Sequence, residues 1–322
     1  MTRVLRHERV SAALTLLSDA GVAALLDEHA RPDAVGIGGC TATLAVAGSP
    51  VFVKQVPVTA LDLQHPHSTA NLFGLPMYYQ YGVGSTGFGA WRELAAHRIT
   101  TGWVLSGRHA AFPLLHHWRV LPAGFAWQPV DIEERVAYWG GAPSVRHRLT
   151  QLRDAPARLV LFLEHLPRTV HDLLRADPSA AGRVDARLRD AITFMNAAGL
   201  WHFDGHFNNV LTDGDEVYFA DYGLALHSGF DLTAPERAWL REHADYDLRH
   251  TTGHLATWLA EEFRGPSSRA AVLRGEAPFL GPAVAAELVR RYGERALVTD
   301  AFFDALVTGA KTTPYPSCSG SR

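Results

Sequence analysis

Cysteine is nearly missing from this chain: Cys40 and Cys318 are the only two in 322 residues. One sits in a glycine-rich turn and the other in a Pro/Ser/Gly tail, so neither a disulfide framework nor a zinc cluster can be assembled from them. No uninterrupted apolar run is long enough to cross a bilayer. Behind Arg3 and Arg6, the apolar segment Ala12 to Leu17 is broken by Ser18 and Asp19, and no cleavage region follows. That pattern argues against a secretory leader. A strong charge of either sign is lacking too. The formal net charge is −3, so composition points to neither nucleic acid nor membrane as a partner. The expected setting is a reducing cytoplasm. No internal repeat is visible.

What is present is ordinary globular composition, in a chain long enough for one large domain or two lobes. Residues 11–30 space apolar side chains at helical intervals, as two short helices or one interrupted at Gly21. From Ala34 to Val56 the character changes. AVGIGGCTATLAV, the turn AGSP and VFVKQV predict a β-hairpin with glycines at its mouth and Lys54 in its second strand. Residues 57–90 are loop-like, with Pro57, Pro66 and Pro76, and a helix over 90–105 and a strand over 116–121 follow. Residues 122–157 hold two helical stretches split by GGAP, and ARLVLFLEHL, 157–166, is an apolar strand stopped by Pro167. Beyond it the spacing predicts helices over 169–175, 184–198, 235–243, 247–263, 282–291 and 296–309. Two short strands, NVLT and VYFAD, interrupt them around the turn DGDE. A β-rich half followed by a helical half predicts an α+β, two-lobed enzyme with its active site at the junction. The expected division is 1–163 and 164–322, with insertions at 57–90 and 122–157.

The chemistry concentrates in LWHFDGHFNNVLTDGDEVYFADYGLAL, where Asp204 precedes Asn209 and a hairpin leads to Asp221-Tyr222-Gly223. Phosphoryl transfer accounts for each residue type. A triphosphate needs magnesium, a hard cation that prefers oxygen ligands, and Asp221 with Asn209 can supply a carboxylate and an amide oxygen. The attacking hydroxyl must be oriented and must lose its proton, so a further carboxylate should face the acceptor. Asp204 is the candidate.

This segment resembles the catalytic and metal-binding loops of the protein-kinase-like superfamily. Its D-x-H-x-x-N form, Asp204, His206 and Asn209, is similar to that of aminoglycoside and choline kinase-type phosphotransferases. The resemblance implies ATP and Mg²⁺ as cofactors, with His206 donating a hydrogen bond near the transferred phosphate. It also implies upstream roles, in the right order along the chain. Lys54 in VFVK matches the strand lysine that holds the α- and β-phosphates, preceded by a glycine loop with Gly36, Gly38 and Gly39. Thr41 stands where a third glycine is expected. Glu93 in AWRELAAH matches the helix carboxylate that pairs with the lysine, and Glu164 and Leu166 fall where a hinge meets adenine through its backbone.

The acceptor implied is a Ser/Thr hydroxyl of a peptide or protein. The alternatives are a small-molecule hydroxyl, of an antibiotic or metabolite, and a pseudokinase that binds without catalysis. The two insertions and the tail TTPYP are similar to actinobacterial kinase-like proteins of lanthipeptide-type peptide natural-product biosynthesis, which would imply pathway partner enzymes.

Three further features carry structural readings. His250 and His254 lie one helical turn apart but lack a third ligand, so a packing role is expected. Tyr78, Tyr79, Tyr81, Phe88 and Trp91 are expected to pack beside a helix. Thr233-Ala234-Pro235-Glu236 is expected to start a helix, with Thr233 as its N-cap. Phe203 stands where loop-switched protein kinases carry arginine, so a phosphorylated activation loop would have no cation there.

Overall fold

The computed structural model describes residues 2–36, 39–124 and 130–316, leaving Gly38 of the glycine loop and Cys318 outside. The protein is α+β, with antiparallel strands and a helical remainder. It divides into two compact units, Met1–Leu166 with Asp221–Thr233, and Pro167–Ala220 with Ala234–Arg322.

The first unit is built on a five-stranded antiparallel sheet of β1 (Arg31–Gly36), β2 (Gly39–Val46), β3 (Ser49–Val58), β4 (Leu115–Pro122) and β5 (Ala157–Glu164), in the order β1-β2-β3-β5-β4. The hairpin expected over residues 34–56 is therefore three strands, because residues 31–36 pair back on β2. Every position of β5 is buried, which explains the apolar run from Leu159 to Leu163 within it: both faces of the sheet are covered. On one face lie α1 (Arg3–Thr15) and α2 (Asp19–His29), whose Val10, Leu14, Val22 and Leu26 pack on Val51, Val53, Val160 and Phe162. On the other lies α4 (Ala90–Leu105), whose Trp91 and Leu94 pack on Val56, Leu159 and Leu161. Since side chains alternate along a strand, this register places Lys54 on the α4 face. Here β3 gets its functional direction.

Of the two readings of the N-terminal stretch the structure has two helices, and the break between them lies at 16–18 rather than at Gly21. Ser18 accepts a hydrogen bond from Gly21 N at 3.1 Å and so caps α2. Among the described residues no single helix is long and apolar enough to cross a membrane. The pair α1 and α2 passes by length and composition together, but it is bent by 114° and its apolar stripe is spent on the sheet.

The two stretches read as separate insertions pack together. Phe73, Leu75 and Tyr79 of the first share a core with Val136 of α5 (Ile132–Tyr138), Trp139 at its C-terminal cap, and Val145 and Leu149 of α6 (Pro143–Arg153). The first also holds a short helix, α3 (Ala60–Gln64), where the sequence suggests only loop. Asp62 closes a capping box with Thr59, lies 3.4 Å from the buried Arg148, and offers its carbonyl to Trp91 Nε1 at 2.8 Å.

The second unit contains α7 (Val170–Ala176), α8 (Ala181–Ala197), α9 (Ala234–Glu242), α10 (Tyr246–Glu262), α11 (Arg269–Leu273) and α12 (Ala283–Thr308). A small antiparallel sheet of β6 (Arg168–Thr169), β7 (Val210–Thr212) and β8 (Val217–Phe219) interrupts them. The helices expected over 282–291 and 296–309 are one, α12. Gly293 does not break it: a Cβ there would strike the Leu273 carbonyl, so this glycine lets α11 approach closely. The segment 233–236 starts α9 at Ala234, with Pro235 and Glu236 in its first turn.

Candidate functional site

Within the first unit, β3, α4 and the segment opening at Asp221 meet at one ammonium group. Lys54 Nζ lies 2.7 Å from Glu93 Oε1 and 2.7 Å from Asp221 Oδ1. Lys54 and Glu93 are buried, while the Asp221 side chain remains 44% exposed. Burial disfavours the charged amine, but the carboxylates of Asp221 and Glu93 outweigh it and hold the Lys54 pKa above its ordinary value. Glu93 is pushed up, by burial first and by the neighbouring Asp221, against the pull of Lys54. Two carboxylates thus share one cation, and the exposed one is the one a ligand can reach.

Composition makes this lysine conspicuous. Of the 30 Lys and Arg residues only Lys54 and Lys311 are lysine. Lys311 donates to the Leu306 and Val307 carbonyls and closes the end of α12. A chain that otherwise uses arginine keeps a compact point charge at Lys54, where a fork-shaped guanidinium would not fit two carboxylates in the same way. The arginine excess was a sequence signal for this site.

Asp221 itself has φ +62°, the left-handed region, and accepts from Gly223 N at 3.1 Å. A non-glycine residue in that region is strained and persists only where its surroundings hold it.

In the second unit, the loop between α8 and β7 carries Asp204, His206 and Asn209. Asn209 Nδ2 donates to Asp204 Oδ2 at 2.9 Å and to the Asp204 carbonyl at 3.1 Å. That fixes the amide with its nitrogen toward Asp204, so its oxygen is the atom suited to a metal. His206 Nε2 lies 3.8 Å from Asp204 Oδ1, an ion-pair distance rather than a hydrogen bond. His202 is buried and its tautomer follows from its partners: Nδ1 accepts from Asp204 N at 3.3 Å, and Nε2 donates to the Ala220 carbonyl at 2.8 Å. Ala220 N in turn donates to the Asn209 carbonyl at 2.9 Å. The residue preceding Asp221 in the chain is therefore tied to this loop from both sides.

The remaining candidates are placed as follows. Gly36 and Gly39 are paired across the tip of the β1–β2 hairpin. Gly39 has φ +136°, and a Cβ there would collide with the Gln55 carbonyl, so a tight fit of β2 on β3 requires glycine whatever the loop binds. Glu164 N donates to the Leu114 carbonyl at 2.8 Å, and its carboxylate is held by Arg3 through contacts of 2.9 and 2.6 Å. The Glu164 side chain is an anchor for α1. Leu166 ends the first of the two stretches that make up the first unit. His250 stacks on Tyr246, His254 packs edge-on against Phe207, and burial lowers their pKa values to about 3 and about 4. They are neutral packing groups. Tyr315 of the tail stacks on His243 with ring centroids 4.4 Å apart.

Asp247 is the functional residue that sequence reasoning missed. In the first turn of α10, this buried carboxylate accepts from His202 N at 2.8 Å, Phe203 N at 2.9 Å and Asn196 Nδ2 at 2.9 Å. Phe203 has φ +63°, and its ring is clamped by Trp239 and Tyr246. Gly205 lets the loop descend onto α10, since a Cβ would lie 2.7 Å from Thr251 Oγ1. Asp247 thus holds the strained turn immediately before Asp204. Asp247→Ala is expected to cost about 3 kcal/mol, because two buried amides lose a charged acceptor. A urea midpoint checks this, and Asp247→Asn, which keeps one acceptor oxygen, should lose less.

Among the described residues no group of three or more His, Cys, Asp or Glu is gathered as a protein-only metal cage. Taken by their chemistry, the Asp221 carboxylate of the first unit and the Asn209 amide oxygen of the second are hard oxygen donors of the kind magnesium accepts. No family model matches this chain, and no curated protein matches it.

Proposed function

We propose that this protein is an ATP-dependent phosphotransferase of the two-lobed kinase-like class, moving the γ-phosphate to a hydroxyl. The observation that carries the reading is the Lys54–Glu93–Asp221 triangle, with both contacts at 2.7 Å. In this reading Lys54, oriented by Glu93, binds the nucleotide phosphates, and Asp221 and Asn209 hold Mg²⁺. When bound, that ion would neutralise charge on the phosphate oxygens. Asp204 accepts the proton of the acceptor hydroxyl and aims it, Asn209 Nδ2 holds Asp204 in place, and His206 donates toward the transferred phosphate. Backbone groups of Glu164 and Leu166 and the glycine hairpin, with Gly36, Gly38 and Gly39, take adenine and the phosphates.

The favoured acceptor is a Ser or Thr hydroxyl of a peptide or protein, an assignment that rests on resemblance. Calorimetric titration should show Mg·ATP binding to the wild-type chain, and phosphate mass shifts should appear on a co-encoded peptide. Absence of Mg·ATP binding would sink the nucleotide reading. A shift on small hydroxylated compounds alone would reassign the acceptor.

A further inference from the structure

The segment after Asp221 is gripped by the first insertion. Gln80 is buried and its Nε2 donates to the Leu224 carbonyl. Gly87, with φ +68°, lies so close beneath the Gly223 carbonyl that any Cβ would collide with it. Further along, Thr69 and Asp231 exchange bonds reciprocally: Thr69 Oγ1 donates to Asp231 Oδ2 at 3.0 Å and accepts from Asp231 N at 2.9 Å. From the opposite side, Tyr222 is buried against His97 of α4, with ring centroids 4.7 Å apart.

The gripping element is itself anchored. Arg92 of α4 donates to the Thr69 carbonyl at 2.7 Å, and the Asp62–Arg148 contact ties the insertion to α6. A chain segment held at Leu224 and Asp231 by a fixed body cannot easily relax the left-handed backbone at Asp221, which needs such over-determination to persist.

We infer that Thr69 and Gln80 are positioning residues for Asp221: the 57–90 insertion is a permanent brace that holds this carboxylate beside Lys54 without any modification of the segment. The inference rests on the proposed role of Asp221 as a magnesium ligand. It assigns to the insertion the task that a switchable loop would otherwise perform.

The test uses the full chain with Gln80→Met and Thr69→Val, which keep volume and remove the hydrogen bonds, and Thr69→Ser, which restores the hydroxyl. Two readouts are taken: amide hydrogen exchange over residues 222–231 without nucleotide, and the Mg²⁺ concentration that half-saturates ATP binding. Both readouts should rise at least tenfold in Gln80→Met and Thr69→Val, with Thr69→Ser matching wild type. Unchanged exchange would overturn the brace. Faster exchange with an unchanged Mg²⁺ requirement would overturn the positioning role. If wild type binds ATP with no dependence on Mg²⁺, the metal assignment of Asp221 fails and the positioning role with it, while exchange still reports separately whether the contacts hold the segment.

Discussion

Asp204→Asn is expected to lower phosphotransfer by about 10²- to 10⁴-fold, the usual contribution of a positioned general base, while Mg·ATP affinity stays close to wild type. The shape of the site survives the change. Asn209 Nδ2 donates to Asp204 Oδ2 at 2.9 Å, and an asparagine oxygen at that position can accept the same bond. What disappears is the capacity to take a proton. The proposed metal and phosphate residues, Asn209, Asp221 and Lys54, are untouched. Single-turnover kinetics with a matched ATP titration separates the outcomes. Retained turnover would remove Asp204 as the base, and a parallel loss of ATP binding would make it a metal or structural group instead.

Lys54→Met and Lys54→Arg form the second test, directed at the other end of the reaction. In Lys54→Met the nucleotide phosphates lose a charge-assisted hydrogen bond worth about 1.5–3 kcal/mol, which corresponds to roughly 10- to 100-fold in ATP affinity. The fold should tolerate this substitution better than a buried ion pair usually would. Glu93 is already pushed toward its neutral form by burial, so without its cation it can take up a proton instead of remaining an unpaired charge. Lys54→Arg keeps the charge but not the shape, and two carboxylates at 2.7 Å leave little room for a guanidinium. It should bind ATP nearly as poorly as Lys54→Met. If Lys54→Arg instead behaves as wild type, charge alone suffices at this position and the geometric argument fails.

Much of the local structure was legible because it depends on local causes. The helix over 90–105 matches α4 residue for residue, since its apolar spacing and the preceding Gly89 are both short-range signals. The apolar stretch at 157–166 was read as a strand, and the structure adds that β5 is buried at every position. Strand alternation also settles which face Lys54 occupies, once the core face of its neighbours is known. Where sequence reading erred, a residue with a local reputation was serving a distant neighbour. The break expected between 291 and 296 is absent, and Gly293, which lies there, is the contact point for α11 within one continuous helix.

The candidate site was legible in its side chains and illegible in its supports. Asp204, Asn209 and Asp221 were singled out by their oxygen-bearing types and order, and Lys54 and Glu93 by resemblance. Asp247 announces nothing. Its partners, His202 and Phe203, lie 45 and 44 residues away, and a lone aspartate in a helix is ordinarily a surface residue. Thr69 and Asp231 are 162 residues apart, and neither carries a pattern that would match it to the other.

The sequence by itself determined the chemistry offered, a lysine, three oxygen-bearing side chains and the strands and helices that carry them, because residue type and periodicity are properties of short stretches. Only the tertiary structure decided that one ammonium is shared by Glu93 and Asp221, that Asp247 underpins the turn before Asp204, and that the 57–90 insertion grips the segment after Asp221. Those pairings follow from which buried surfaces fit together, and close packing depends on shapes that meet only after the chain has folded.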